Sequence, residues 1–172
     1  MLVPYDPGWP QQFREIAAEL LQLGNSAWLI EHIGSTAVPG MMAKPIIDVA
    51  VRIQDESDFE AHRPGLEDGG WRLGSGVRTH HVMVCERSGV RTRIAHFFEQ
   101  AAWETANQRI LRDWLTAHPT DALQYQVAKI AAMEATHAGT VSYSAGKTTV
   151  IQEIVDRARA ERGLMSVPVY EK

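Results

Sequence analysis

A chain of 172 residues, 45% hydrophobic and 22% charged, has the size and balance of one soluble globular domain with a core of its own. Its formal charge of −4 argues against a broad nucleic-acid footprint, and its one cysteine, Cys85, excludes an internal disulfide and any Cys/Cys or Cys/His metal spacing. No stretch approaches the ~18 consecutive apolar residues of a membrane span, and Met1 to Ile16 carries neither a basic nor an apolar leader region, so a reducing, cytoplasmic setting is expected.

Val3 to Pro10 is rich in proline and reads as an arm leading into a helix, with Pro10 suited to the first helical position. Phe13, Ile16, Ala17, Leu20, Leu21 and Leu23 then recur at helical spacing, and Gly24-Asn25 supplies the stop. Ala27 to Ile33 suits a strand ending at Gly34. After a loop marked by Pro39 and Gly40 comes a second strand, Ile46 to Ile53. Here period two is informative. Ile47, Val49, Val51 and Ile53 share the face that must be buried, while Asp48, Ala50 and Arg52 share the other.

A helix is expected from near Ser57 to Gly69-Gly70, kinked or restarted at Pro64. Trp71 to Leu73, His80 to Glu86 and Val90 to Phe98 read as three further strands, with Ser88-Gly89 the hairpin turn between the last two. His80 and His81 lie on opposite faces, so at most one joins any site. On the last strand Thr92, Ile94, His96 and Phe98 share a face, which makes His96 its ligand-capable group. Arg91 and Arg93 either blunt a sheet edge as solvated charges or point into a cleft.

The rest is helical: Trp103 to Ala117, then Thr120 and Asp121 capping a long helix through about His137 and Gly139, then about Ser144 to Arg162. No repeat or linker divides residues 1–172, and the tail from about Gly163 is expected to be loosely held. Strands clustered in the first half and helices in the second predict an α+β fold, a small mixed sheet backed by helices.

Two readings fit each polar group around Gly34-Ser35-Thr36. Ser35 and Thr36 either offer hydroxyl and N–H donors to a phosphate or cap a turn. Asp48 either binds metal or substrate, or pairs with Lys44 or Arg52, since an unpaired buried carboxylate is costly. Ala145 to Thr149 invites a Walker A reading, but the glycine needed five residues before Gly146 is Val141, and no strand precedes it.

With these elements placed, the chain resembles the GrpB family of small bacterial proteins with a nucleotidyltransferase-like fold. The resemblance rests on Pro4-Tyr5-Asp6-Pro7 with Trp9, Glu31 to Gly40, and Lys44-Pro45-Ile46-Ile47-Asp48. Arg112 to Leu115 before His118-Pro119, Tyr125 with Lys129, and Tyr143 with Lys147 continue it. The fold implies a Gly-Ser turn gripping phosphates and a following strand whose two acids, at i and i+2, hold Mg²⁺ with a third acid from a neighbouring strand. Here Gly34-Ser35 and Asp48 match. The second acid is replaced by Ala50, and the third strand offers His96, with Ile94 where the family more often has a second histidine.

The resemblance therefore implies a divergent nucleotidyltransferase-fold protein that binds a nucleoside triphosphate with Mg²⁺ and passes a nucleotidyl group to a small acceptor. Asp48 and Ser35 would be catalytic. Gly34, Ser35, Thr36, Lys44, Arg112, Tyr125, Lys129 and Lys147 would hold the nucleotide or another anionic small molecule. The metal would sit on Asp48 with His96 or Glu86. The rival reading is a nucleotide- or coenzyme A-type pocket without catalysis, motivated by Ala50 and by family relatives fused to dephospho-coenzyme A kinase; a purely interaction-based protein is a third.

Overall fold

The structure is a computed structural model that describes residues 1–75, 79–137 and 143–169, with side chains 135–148 left aside. Its strands are β1 (Leu29–Ile33), β2 (Ile47–Ile53), β3 (Arg72–Leu73), β4 (His81–Arg87) and β5 (Val90–Glu99); its α-helices are α1 (Trp9–Leu23), α2 (Glu56–Asp68), α3 (Asn107–Ala117), α4 (Pro119–His137) and α5 (Tyr143–Glu161). The strands form one mixed sheet in the order β1-β2-β5-β4-β3. The central pair β2/β5 is parallel, and the other pairings are antiparallel.

The alternation in β2 divides the molecule. Val49, Val51 and Ile53 pack with Phe97 of β5 against Trp9, Ile16 and Leu20 of α1 and Phe59 and Leu66 of α2. Register then carries the opposite face across the sheet: Ile33 pairs with Asp48, Asp48 with Ile94, and Ala50 with both Glu31 and His96. Above that face the helical half has its own core, where Leu115, Tyr125, Ile151, Ile154 and Val155 meet Val38 and Met41 of the β1–β2 loop. The same loop is held at its far end by reciprocal hydrogen bonds between Val3 and Ala43.

Local chemistry explains most boundaries. Pro10 lies in the first turn of α1, and the N–H of Gly24 closes that helix on the Leu20 carbonyl. Asp55 caps α2 by accepting from the Ser57 and Asp58 N–H groups. Ser88 (φ 52°) and Gly89 (φ 74°) make the β4–β5 turn with two left-handed residues, which suits the twist of a two-residue hairpin.

Three expectations need correction. Helix α2 runs unbroken through Pro64, because the packing of Phe59 and Leu66 on either side carries it past the missing N–H. The segment 100–105 is a 3₁₀ turn, and α3 starts only at Asn107, after an extended Ala106; Arg109 of α3 reaches back to the Trp103 carbonyl instead. The tail from Gly163 is tied down through residue 169. Arg159 donates to the Met165 carbonyl, Gln152 bonds both Val167 and Val169, and Ser166 donates to Asp156. The helix stop expected at Gly139 lies outside the described residues. Among the described residues no helix is long and apolar enough to cross a membrane.

Candidate nucleotide-binding cleft

Between the polar face of the sheet and the helical half lies a cavity of about 780 Å³, within the range of small-molecule sites. Its sheet-side end is built on Gly34. This residue has φ +73°, and a Cβ on it would sit 2.7 Å from Asp48 Oδ2. Glycine is thus required both for the hand of the backbone and for room beside the carboxylate. Ser35 follows, and its hydroxyl accepts a 2.8 Å hydrogen bond from Lys129 Nζ, which also donates to the Met42 carbonyl. Lys129 is only 3% exposed and lies 5.3 Å from the Tyr125 ring centroid, so a buried ammonium from α4 underpins the turn.

The structure brings Gly34, Ser35, Thr36, Lys44, Asp48, Arg112, Tyr125 and Lys129 to the walls of this one cavity. Not all are equally available. The Thr36 hydroxyl is turned to the Ile46 carbonyl and to His32 Nε2, at 3.4 and 3.0 Å, which is the turn-stabilising one of its two expected roles. Arg112 donates to the His32 carbonyl, to Glu31 and to its neighbour Asp113. Glu31 in turn takes both forks of Arg109. Burial raises the pKa of the Glu31 carboxyl, but hydrogen bonds and charge from Arg109 and Arg112 more than offset it and hold the group below its usual range. Lys147 lies outside the described side chains.

Histidines surround Asp48. His96 is fully buried and does not line the cavity; its Nε2 is 3.7 Å from Asp48 Oδ1, and its Nδ1 is 2.7 Å from His80 Nε2. His80 does line it, while His81 points to the other face, stacked on Phe59 and bonded to Glu56. The rule that only one of the adjacent histidines joins the site therefore holds, and the one is His80. Its identity could not be read from alternation, because it sits just before β4. His32, stacked on Phe13, has its pKa pushed down to about 4 by burial, with Arg112 adding to the effect and Asp48 opposing it. Arg93 pairs with Glu19 on the α1 side of the sheet, so it does not enter the cleft.

The donor set does not fit a metal centre made by the protein alone. Ala50 is 0% exposed, packed with Ile33, Phe98, Trp103 and Ala106, so the place of a second carboxylate is filled by apolar contacts. Glu86 is exposed near the hairpin and does not line the cavity. Among the described residues no three His, Cys, Asp or Glu side chains converge to hold an ion. Sequence reasoning also passed over Arg159 and Asn107, which line the cavity from α5 and α3.

Residues 1–157 match the model of the GrpB protein family. The chain belongs to the GrpB family. It is 35% identical over 165 residues to a UPF0157 protein of Halalkalibacterium halodurans, covering 92% of this chain and 82% of that one. A 102-residue stretch, 56% of this chain, is 36% identical to 24% of the dephospho-CoA kinase of Mycobacterium tuberculosis. The crystal structure of the conserved protein GrpB from Enterococcus faecalis superposes with a TM-score of 0.83 at 26% identity, over 95% of this chain and 99% of that one. Terminal uridylyl transferase 4 of Trypanosoma brucei, with bound dUTP, gives a TM-score of 0.55 at 11% identity, over 98% of this chain and 64% of that one. The GrpB fold of this chain is thus nucleotidyltransferase-like, an α+β domain as expected.

Proposed function

We propose that this GrpB-family protein binds a nucleoside triphosphate in the cleft and passes a nucleotidyl group to a small acceptor held in the same cavity. The observation that carries this reading is the juxtaposition of Asp48, Gly34 and Ser35 at one end of the cavity, with the ammonium of Lys129 buried against Ser35. The Gly34-Ser35 turn and the Lys44 and Lys129 ammonium groups receive the phosphates. The acceptor's hydroxyl or amine attacks the α-phosphorus, pyrophosphate leaves, and the acceptor's proton departs through Asp48, the carboxylate beside the turn. Among the described residues, Asp48 is the one carboxylate that would meet Mg²⁺ bound to the phosphates, where the ion would supply charge neutralisation.

Calorimetry with ATP or GTP and Mg²⁺ tests the binding step. Asp48→Asn is expected to keep the fold and weaken metal-dependent binding by about tenfold or more; unchanged affinity would remove Asp48 from the site. A second reading, a nucleotide- or coenzyme A-type pocket without transfer, is favoured by one specific observation, the apolar packing that fills the position of Ala50. Labelled triphosphate with a pool of small acceptors separates the two. Turnover supports transfer, and retained ligand without turnover supports the pocket.

A further inference from the structure

Among the arginines of this chain Arg159 is unusual. It stands in the last turn of α5, is 6% exposed, and lines the cavity. Its Nε donates to the Met165 carbonyl at 2.6 Å, and its Nη1 donates to the Thr105 carbonyl at 3.1 Å and to Asn107 Oδ1 at 2.8 Å. All three acceptors are neutral. Arg93, Arg109, Arg112, Arg157 and Arg162 each meet a carboxylate, but among the described residues no carboxylate lies within ion-pair distance of Arg159. Its Nη2 forms no hydrogen bond with them either.

Burying a guanidinium without an anion is costly. The carbonyl end of α5 and the three neutral acceptors offset part of that cost, and they occupy three of the five N–H groups. The remaining donor, Nη2, stands beside Asn107, whose Oδ1 is engaged by Arg159 and whose amide N–H groups are the other end of the same side chain. The cavity that both residues line is also walled by Leu111, Leu115, Ile151 and Val155. A single unbalanced cation with an amide donor, set among hydrocarbon side chains, matches a monoanion on an apolar body. A phosphate dianion would leave an excess negative charge in the same place.

We infer that Arg159, with Asn107, binds the carboxylate of an organic acid with an apolar body, and that this acid is the acceptor: a hydroxyl or amine it carries away from that carboxylate forms the new bond to the α-phosphorus as pyrophosphate leaves. The acceptor role rests on the triphosphate occupying the Ser35 end of the same cavity; the carboxylate site does not. Asn107→Asp is the decisive variant. It places a carboxylate where Oδ1 already meets Arg159, neutralises the guanidinium internally, and puts an acid in the first turn of α3, where it also suits the helix.

The probes are hexanoate, its uncharged amide, and hexyl phosphate, titrated calorimetrically into the full chain beside ATP with Mg²⁺. The wild type is expected to bind hexanoate about tenfold or more tightly than hexanamide, and any hexyl phosphate binding is expected to survive Asn107→Asp, since it belongs to the Ser35 end. Asn107→Asp is expected to lose that preference while keeping its melting temperature and its ATP affinity. Arg159→Gln is expected to lose it too; if that variant unfolds, Asn107→Asp still decides. Equal binding of hexanoate and hexanamide by the wild type, tighter binding of hexyl phosphate that Asn107→Asp abolishes, or hexanoate binding unchanged in Asn107→Asp would each overturn the assignment. Hexanoate selectivity without any ATP binding would support the carboxylate site and remove the nucleotide reading alone.

Discussion

The two faces of β2 make opposite use of one strand. Toward α1 and α2, Val49 and Val51 are sealed beneath tryptophan, phenylalanine and leucine side chains, so this face supplies stability by burial. Toward the cleft, Asp48 borders the cavity, with Gly34 and His96 beside it, so this face carries the polar groups of the proposed site. Ala50 is the exception that teaches most. It lies on the chemical face yet is packed like the structural one, under Phe98 and Trp103. The boundary between core and site therefore crosses the strand between Asp48 and Ala50 and does not simply follow its pleat.

That contrast can be broken by mutation. Phe59→Ala on the sealed face should cost about 4 kcal/mol in urea unfolding while leaving the affinity of the surviving fold for ATP unchanged. A loss below about 1 kcal/mol would mean that this face is not where stability resides. Ala50→Asp restores the acid at i+2 but buries it among apolar groups, for an expected loss of about 3 kcal/mol and no gain in transfer. A stable variant with new Mg²⁺-dependent turnover would place Ala50 in the site after all.

The smallest effect concerns pH. His32 titrates near 4 in the fold and near 6.5 unfolded, so between those values the unfolded chain binds more protons. Stability is therefore lost as pH falls from 6.5 toward 4. Allowing for its partial exposure, the loss is about 2 kcal/mol, read as a drop in the urea midpoint between about pH 7 and about pH 5 that His32→Gln abolishes. The depressed Glu31 carboxyl has the same sign, with stability lost on protonation, but a separate and lower window. Its stabilisation is present above 4.5, its ordinary value, and fades only as pH falls through its lowered folded value.

What was legible in the sequence was what local pattern controls. Period two placed Asp48 opposite Val49, Ser88-Gly89 gave the hairpin, and both histidines of the β4 entrance were assigned to opposite faces. The resemblance to GrpB proteins then placed Gly34, Ser35 and Lys129 at one site, although they are far apart in the chain. What was not legible depended on partners distant in sequence. Pro64 reads as a break until Phe59 and Leu66 are seen packed on either side of it. Arg112 reads as an anion ligand until Glu31 is seen beside it, 81 residues away. Arg159 carries no local signal, because its partners Thr105 and Asn107 lie 54 and 52 residues away.

Glu31 carries a final consequence. By taking Arg109 and Arg112 together, with Arg112 also on the His32 carbonyl, it stitches the edge strand β1 to α3 beside the cleft. The walls are thereby set at a fixed separation before any ligand arrives. Binding then need not draw on contact energy to close two lobes, and the cost of association falls mainly on ordering the ligand itself.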